Sequence, residues 1–280
     1  MNTIFRKTLL ASLVVPFVLG AQSANAVLIT DWGYQVNNTL SEALNVKNNA
    51  INAVDVIDGG GNVTSSTLTW GGNLGSGQSS LMIDGVSGDS GLITNGSALA
   101  GGVFTHTNNP IAGGGSLKSF NLNTNLTLTP ASPEGGAERN LPTITFRSFF
   151  KETDNTVDLQ DCVVKTSSVA CADIFTIGNI GVLDGDNTFT VTTPSFTIDD
   201  YVYTVLLELT DLTALSPTVC AAAGANAGCL GFVTDEEFTT PFRTRFSITA
   251  TQVPEPGTLA LLGLGLAGLG MSRRRKAATA

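Results

Sequence analysis

His106 is the only histidine in a chain of 280 residues, so any imidazole chemistry must run through it. An imidazole can serve as a general base, orient a ligand or hold a metal. A Ser-His-Asp mechanism also needs a serine beside the imidazole and an oxyanion site. No Gly-x-Ser-x-Gly elbow is present; Gly75-Ser76-Gly77 and Gly88-Asp89-Ser90-Gly91 read only as glycine turns. Strand alternation puts Thr105 and Thr107 on one face and His106 and Asn108 on the other, with Asn108 opening the turn into Pro110. These residues favour a structural histidine over a ligand contact, and a ligand contact over catalysis.

The remaining chemical motifs are weaker. Gly263-x-Gly265-x-x-Gly268 has the spacing of a dinucleotide fingerprint but lies in an apolar stretch near the end of the chain, outside any βαβ unit. Gly72-x4-Gly77-Gln78-Ser79 imitates a phosphate loop without the lysine that reaches the phosphates. Asp184-Gly185-Asp186-Asn187 offers oxygens but lacks the distal glutamate of an EF-hand, and reads as an acidic turn. Asp235-Glu236-Glu237 reads as a solvated charge run. Trp32, Tyr34, Trp70, Tyr201 and Tyr203 are candidates to stack on sugar rings, although alternation of Tyr201 and Tyr203 with Val205 assigns that strand to a core. No cofactor and no metal-ligand set is expected, and the chain is not expected to be an enzyme.

The 4 cysteines fall in two equal steps, Cys162 to Cys171 and Cys220 to Cys229. Zinc sites use tighter steps, usually with histidine. In an exported protein an even count favours disulfides. Three pairings exist, and the two local ones are preferred because each segment has loop character and close ends.

The elements that must carry these residues are read as strands. The chain is 42% hydrophobic but only 13% charged, with 31 glycines. Short alternating runs rich in Thr, Val, Ile and Phe are separated by Gly, Asn, Asp and Pro. They include Ser66 to Trp70, Leu117 to Thr129 with one phase break, Thr143 to Phe150, Ser195 to Asp211 and Phe242 to Thr251. This pattern predicts an all-β, antiparallel, jelly-roll-like β-sandwich. Ser41 to Asn52 is the best helical candidate, capped by Ser41 with Leu40, Leu44 and Ile51 on one face. Gly71 to Gly77 and Gly113 to Gly115 read as loops.

Both ends read as addresses. Arg6 and Lys7, the apolar run Thr8 to Leu19, and Ala24-Asn25-Ala26 make residues 1–26 a signal peptide, implying passage through the Sec translocon and cleavage by signal peptidase. Residues 27–252 form the sandwich body. In residues 253–280, Pro254-Glu255-Pro256 is followed by an uncharged Leu/Gly/Ala segment, Gly257 to Met271, and then by Arg273, Arg274, Arg275 and Lys276. That segment would span ~22 Å as a transmembrane helix, short for a bilayer core of ~30 Å. A basic cluster after an apolar stretch stays cytoplasmic, so the body lies outside the inner membrane. Removal of both ends leaves 8 basic and 22 acidic residues, a net charge of −14. Such a surface excludes general nucleic-acid binding and repels anionic polymers unless divalent cations bridge them.

The ordered C-terminal parts closely resemble the PEP-CTERM sorting signal of Gram-negative bacteria that export polysaccharide. The resemblance implies recognition by an exosortase, removal of the tail after transient anchoring in the inner membrane, and release or transfer of the body to the cell surface. It carries with it an association with exopolysaccharide and biofilm. A second resemblance covers most of the body. Thr105-His106-x-Asn108 is preceded by Gly75 to Leu81. It is followed by Phe150-Lys-Glu152-Thr153-x-Asn155, Cys162, Cys171-x-Asp173-Ile174-Phe175, Cys220, Cys229 and Gly231-Phe232-x-Thr234-x-Glu236. In this order the set is similar to the THxN family of PEP-CTERM proteins, with Asp154 where Pro is expected. That family brings no established activity. The leading expectation is a non-catalytic surface or matrix protein. A carbohydrate-binding module for the exopolysaccharide and a secreted hydrolase are the alternatives.

Overall fold

A computed structural model describes residues 27–73, 77–112, 115–153, 161–164, 171–178, 182–183, 188–253, 263, 265–266 and 268. The signal peptide, the sorting residues Pro254, Glu255, Pro256, Arg273, Arg274, Arg275 and Lys276, and the Asp184–Asn187 turn lie outside the described residues. Among the described residues no helix is long and apolar enough to cross a membrane. The chain divides into two compact units. Of the described residues the smaller contains 27–28, Ile198–Tyr201 and those from 252 onward, and in it the Val253 N–H donates to the Asp200 carbonyl at 2.7 Å. The larger, Ile29–Thr197 with Val202–Thr251, carries every site discussed below.

The larger unit is built mainly from two antiparallel sheets. One runs in the order Thr213–Ala214, Leu230–Thr234, Asp173–Ile177, Ile144–Lys151, Leu117–Ser132, Asp31–Asn45, Ala50–Ile51. The other runs Val182–Leu183, Phe189–Thr192, Tyr201–Thr210, Thr239–Gln252, Leu99–Thr107, Ser79–Asp84, Val63–Trp70, Val54–Ile57. Alternation sets which side chains face inward: Tyr203, Val205, Leu207 and Leu209 are all buried, as are Leu68 and Trp70. Rings from the two sheets meet between them. Phe104 stacks on Phe242 at 4.5 Å and lies 5.1 Å from Phe175, which stacks on Phe232 at 4.7 Å. Trp32 meets Tyr203 edge-on at 5.1 Å and donates from Nε1 to Thr94 Oγ1 at 3.0 Å. Asn38 on one sheet donates to the carbonyls of Asp84 and Gly101 on the other, and accepts from Thr124 Oγ1. A buried amide so satisfied costs little and fixes register.

Three expectations are corrected here. Ser41–Asn52 is not helical: Asp31–Asn45 is one long strand that turns back into Ala50–Ile51. The helical spacing of Leu40 and Leu44 comes from a bulge. Pairing with Leu117–Ser132 shifts between Ser41 and Leu44 and again at Asn45, and Glu42 sits at φ 50°. The extra residue moves the buried phase from Leu40 to Ala43. The same shift lies at the phase break between Leu117 and Phe120. Second, the one α-helix of the larger unit among the described residues is Pro217–Ala223, in a segment read as loop. Ser216 caps it by accepting from the Val219 N–H, Pro217 opens it, and Gly224 closes it at φ 84°. Part of the expected Gly71–Gly77 loop also forms a strand, Gly72–Asn73, which pairs with Ile111–Ala112. Both local disulfides are present, Cys162–Cys171 and Cys220–Cys229.

Candidate functional site

The strand Leu99–Thr107 carries Thr105 and His106 and leads into Asn108. A pairing shift against Thr239–Gln252 falls beside Gly102, whose φ of 125° only glycine adopts freely. Beyond it Phe104, His106 and Asn108 all point inward, while Thr105 and Thr107 are half-buried. His106 and Asn108 are both 0% exposed. Trp70 stacks on the imidazole at 5.8 Å and Phe150 packs edge-on at 5.0 Å. His106 Nδ1 lies 2.9 Å from Thr234 Oγ1, and Asn108 Nδ2 donates to the Thr234 carbonyl at 3.1 Å. Asn108 also accepts from the Glu237 N–H and donates its own N–H to Phe238, which ties the loop after Leu230–Thr234 to this strand end.

Three carboxylates converge beside the ring. Glu152, Asp173 and Glu236 place carboxylate oxygens within 4.8 Å of one another. Asp173 Oδ1 accepts from the Thr153 N–H at 2.8 Å and from Thr153 Oγ1, which also donates to the Cys171 carbonyl. The Cys162–Cys171 bridge therefore braces the Asp173 strand start. Glu152 Oε2 accepts from Trp70 Nε1 at 2.8 Å. Asp173 Oδ2 lies 3.9 Å from His106 Nε2, too far for a hydrogen bond, and neither atom has a hydrogen-bond partner.

Burial sets the charges. It lowers the His106 imidazole to about 3, so the ring is neutral. It raises Glu152 to about 7, helped by the charge of Glu236 and opposed by the Trp70 hydrogen bond. It raises Asp173 well above the carboxylate range, reinforced by Glu152. With the ring neutral and the charged form of Asp173 disfavoured by burial, the His106–Asp173 approach is not an ion pair. Two like charges ~4.8 Å apart repel by roughly 3 kcal/mol at an effective dielectric of ~20. The three carboxylates therefore cannot all be charged without a compensating cation or proton.

Alternation separates His106 and Asn108 from Thr105 and Thr107, and in the fold the His106 face is the inward one; the carboxylates beside it form no group in the sequence. Asp235-Glu236-Glu237 is not a uniform solvated run: Asp235 and Glu236 are half-buried and only Glu237 is exposed. Trp32, Trp70 and Tyr203 are buried and so offer no sugar platform; Tyr34 and Tyr201 are half-buried. Several of the segments quoted for the second resemblance meet in space. Glu152, Thr153, Asp173, Phe232, Thr234 and Glu236 surround His106 and Asn108, and Ser79 Oγ donates to the Asn109 carbonyl at 2.9 Å. Clefts of about 620 Å³, beside Glu42 and Arg147, and about 420 Å³, beside Tyr34 and Glu138, are lined by none of these residues.

Residues 252–276 match the family model of the PEP-CTERM protein-sorting motif. The motif implies an exosortase-sorted protein, exported, transiently anchored in the membrane and then extracellular. No curated protein shows significant similarity to the chain.

Proposed function

We propose that this is a non-catalytic surface or matrix protein of the THxN kind, delivered by its sorting signal and associated with exopolysaccharide in a biofilm. The Sec translocon and signal peptidase handle residues 1–26, and an exosortase handles residues 253–280. The body, residues 27–252, is read as a jelly-roll-like sandwich, in keeping with its two facing antiparallel sheets. One observation carries the non-catalytic reading: the motif residues His106 and Asn108 are fully buried between aromatic rings. A substrate cannot reach a base so placed without the core opening. Nor do the carboxylates fit glycoside hydrolysis. Retaining enzymes hold their pair ~5–5.5 Å apart and inverting ones ~6.5–9.5 Å, across an open sugar site. Here the oxygens lie within 4.8 Å and Asp173 is 1% exposed.

The sorting half is tested by replacing Pro254, Glu255 and Pro256 with Ala in the producing cell. The expected product is longer, keeps its tail and stays in the membrane fraction, whereas the wild-type body leaves it. Equal release of the two proteins would overturn the assignment.

A further inference from the structure

We propose that Glu152, Asp173 and Glu236, together with Nε2 of His106, hold one hard divalent cation, Ca²⁺ or Mn²⁺, that staples the two sheets together. Carboxylates gathered within 4.8 Å are the first observation. The second is independent of them: His106 is 0% exposed, its Nε2 has no hydrogen-bond partner, and that atom points to within 3.9 Å of Asp173 Oδ2. In the tautomer whose Nδ1–H donates to Thr234 Oγ1, Nε2 presents its lone pair to the carboxylates. Metal-bound histidines are oriented in this way by a hydrogen bond from the other ring nitrogen.

Among the described residues, Asp173 Oδ2 and Glu152 Oε1 are likewise buried without a hydrogen-bond partner. Buried oxygens without hydrogen-bond partners recur on flanking residues, Asn108 Oδ1 and Asp235 Oδ1. Oxygens outnumber nitrogen in the donor set, which selects hard ions over Zn²⁺. The cluster also joins separate parts of the fold. His106 comes from one sheet, while Glu152 follows Ile144–Lys151, Asp173 begins Asp173–Ile177 and Glu236 follows Leu230–Thr234, all in the other. A bound ion would cross-link four chain segments at one end of the core. This role does not depend on how the chain is sorted, and it departs from the expectation of no metal drawn from the sequence.

The test uses the exported protein after processing. Elemental analysis should find about one equivalent of Ca²⁺ or Mn²⁺. Stripping with EDTA should lower Tm by at least ~5 °C, and adding back Ca²⁺ or Mn²⁺ alone should restore it. Glu236→Gln should weaken binding by at least ~100-fold, whereas Glu138→Gln, an exposed carboxylate, should leave it unchanged. Should the Glu236 variant fail to fold, EDTA and add-back on the wild type still decide. A protein that takes up none of these ions and melts identically with and without EDTA would overturn the proposal, and so would uptake of Zn²⁺ alone.

Discussion

At the scale of single residues, the protonation of Glu152 is the most sensitive part of the core. Its carboxyl is raised from its ordinary value near 4.5 to about 7, first by burial. The folded state thus binds a proton that the unfolded chain has already lost. That contribution is fully present below pH ~4.5 and is lost as pH rises through ~7. Asp173, also raised by burial, acts with the same sign. His106, lowered to about 3, acts oppositely: its contribution is present above pH ~6.5 and is lost as pH falls below that. Lys151, exposed on the neighbouring strand, and Glu236 complete the charges that bear on Glu152. Above pH ~6.5 only the carboxyl effect remains. EDTA-treated protein is therefore expected to lose about 1 kcal/mol between pH 6 and pH 8 from Glu152, after allowance for its partial exposure, with Asp173 adding to the fall. Glu152→Gln keeps an acceptor for Trp70 Nε1 and should flatten that fall. Thermal melts across this range check it, and an unchanged slope in the variant would count against the assignment.

Among elements, Val54–Ile57 stands out as the end strand of its sheet. Val54, Val56 and Ile57 are 68%, 54% and 59% exposed. An apolar edge with open backbone groups invites pairing with another chain, and the lone charge on it, Asp55, accepts from Ser66 Oγ. Val56→Lys is expected to change stability by no more than ~0.5 kcal/mol and to slow self-association, read by light scattering at high concentration. Faster association in the variant would refute the edge argument. Elements also show where the sequence was legible. Alternation marked the strands around Trp70, Phe146, Tyr203 and Phe246 because each presents one face to the core. It failed at Ser41–Asn52, where the bulge at Glu42 turns a period of two into an apparent helical spacing. The helix Pro217–Ala223 is too short for periodicity, although Ser216, Pro217 and Gly224 carried its start and stop signals. The carboxylate cluster was hidden for another reason. Its three members come from separate segments of the sequence, and only strand pairing brings them together.

For the whole molecule, the question is whether the strand end that carries His106 and Asn108 serves the interior or a ligand. The processed body carries a net charge of −14, so a polyanionic polymer is repelled by most of its surface. Any hold on exopolysaccharide must then come from exposed groups, and His106 is 0% exposed. Its ring fills the space between Trp70 and Phe150 and takes part in a buried hydrogen bond with Thr234. His106→Ala removes both the packing and the bond, a loss of about 2–4 kcal/mol from the cavity and the stranded hydroxyl. For a unit of this size that corresponds to a fall in Tm of roughly 5–10 °C. Loss of a bound cation would deepen the fall and not reverse it. Retention of the folded variant on the producer's own exopolysaccharide, measured well below its melting point, should equal that of the wild type. The opposite pair of results, unchanged melting with retention abolished, would place His106 at a carbohydrate site. The body would then be a binding module, and its buried polar core would have to open to admit the sugar.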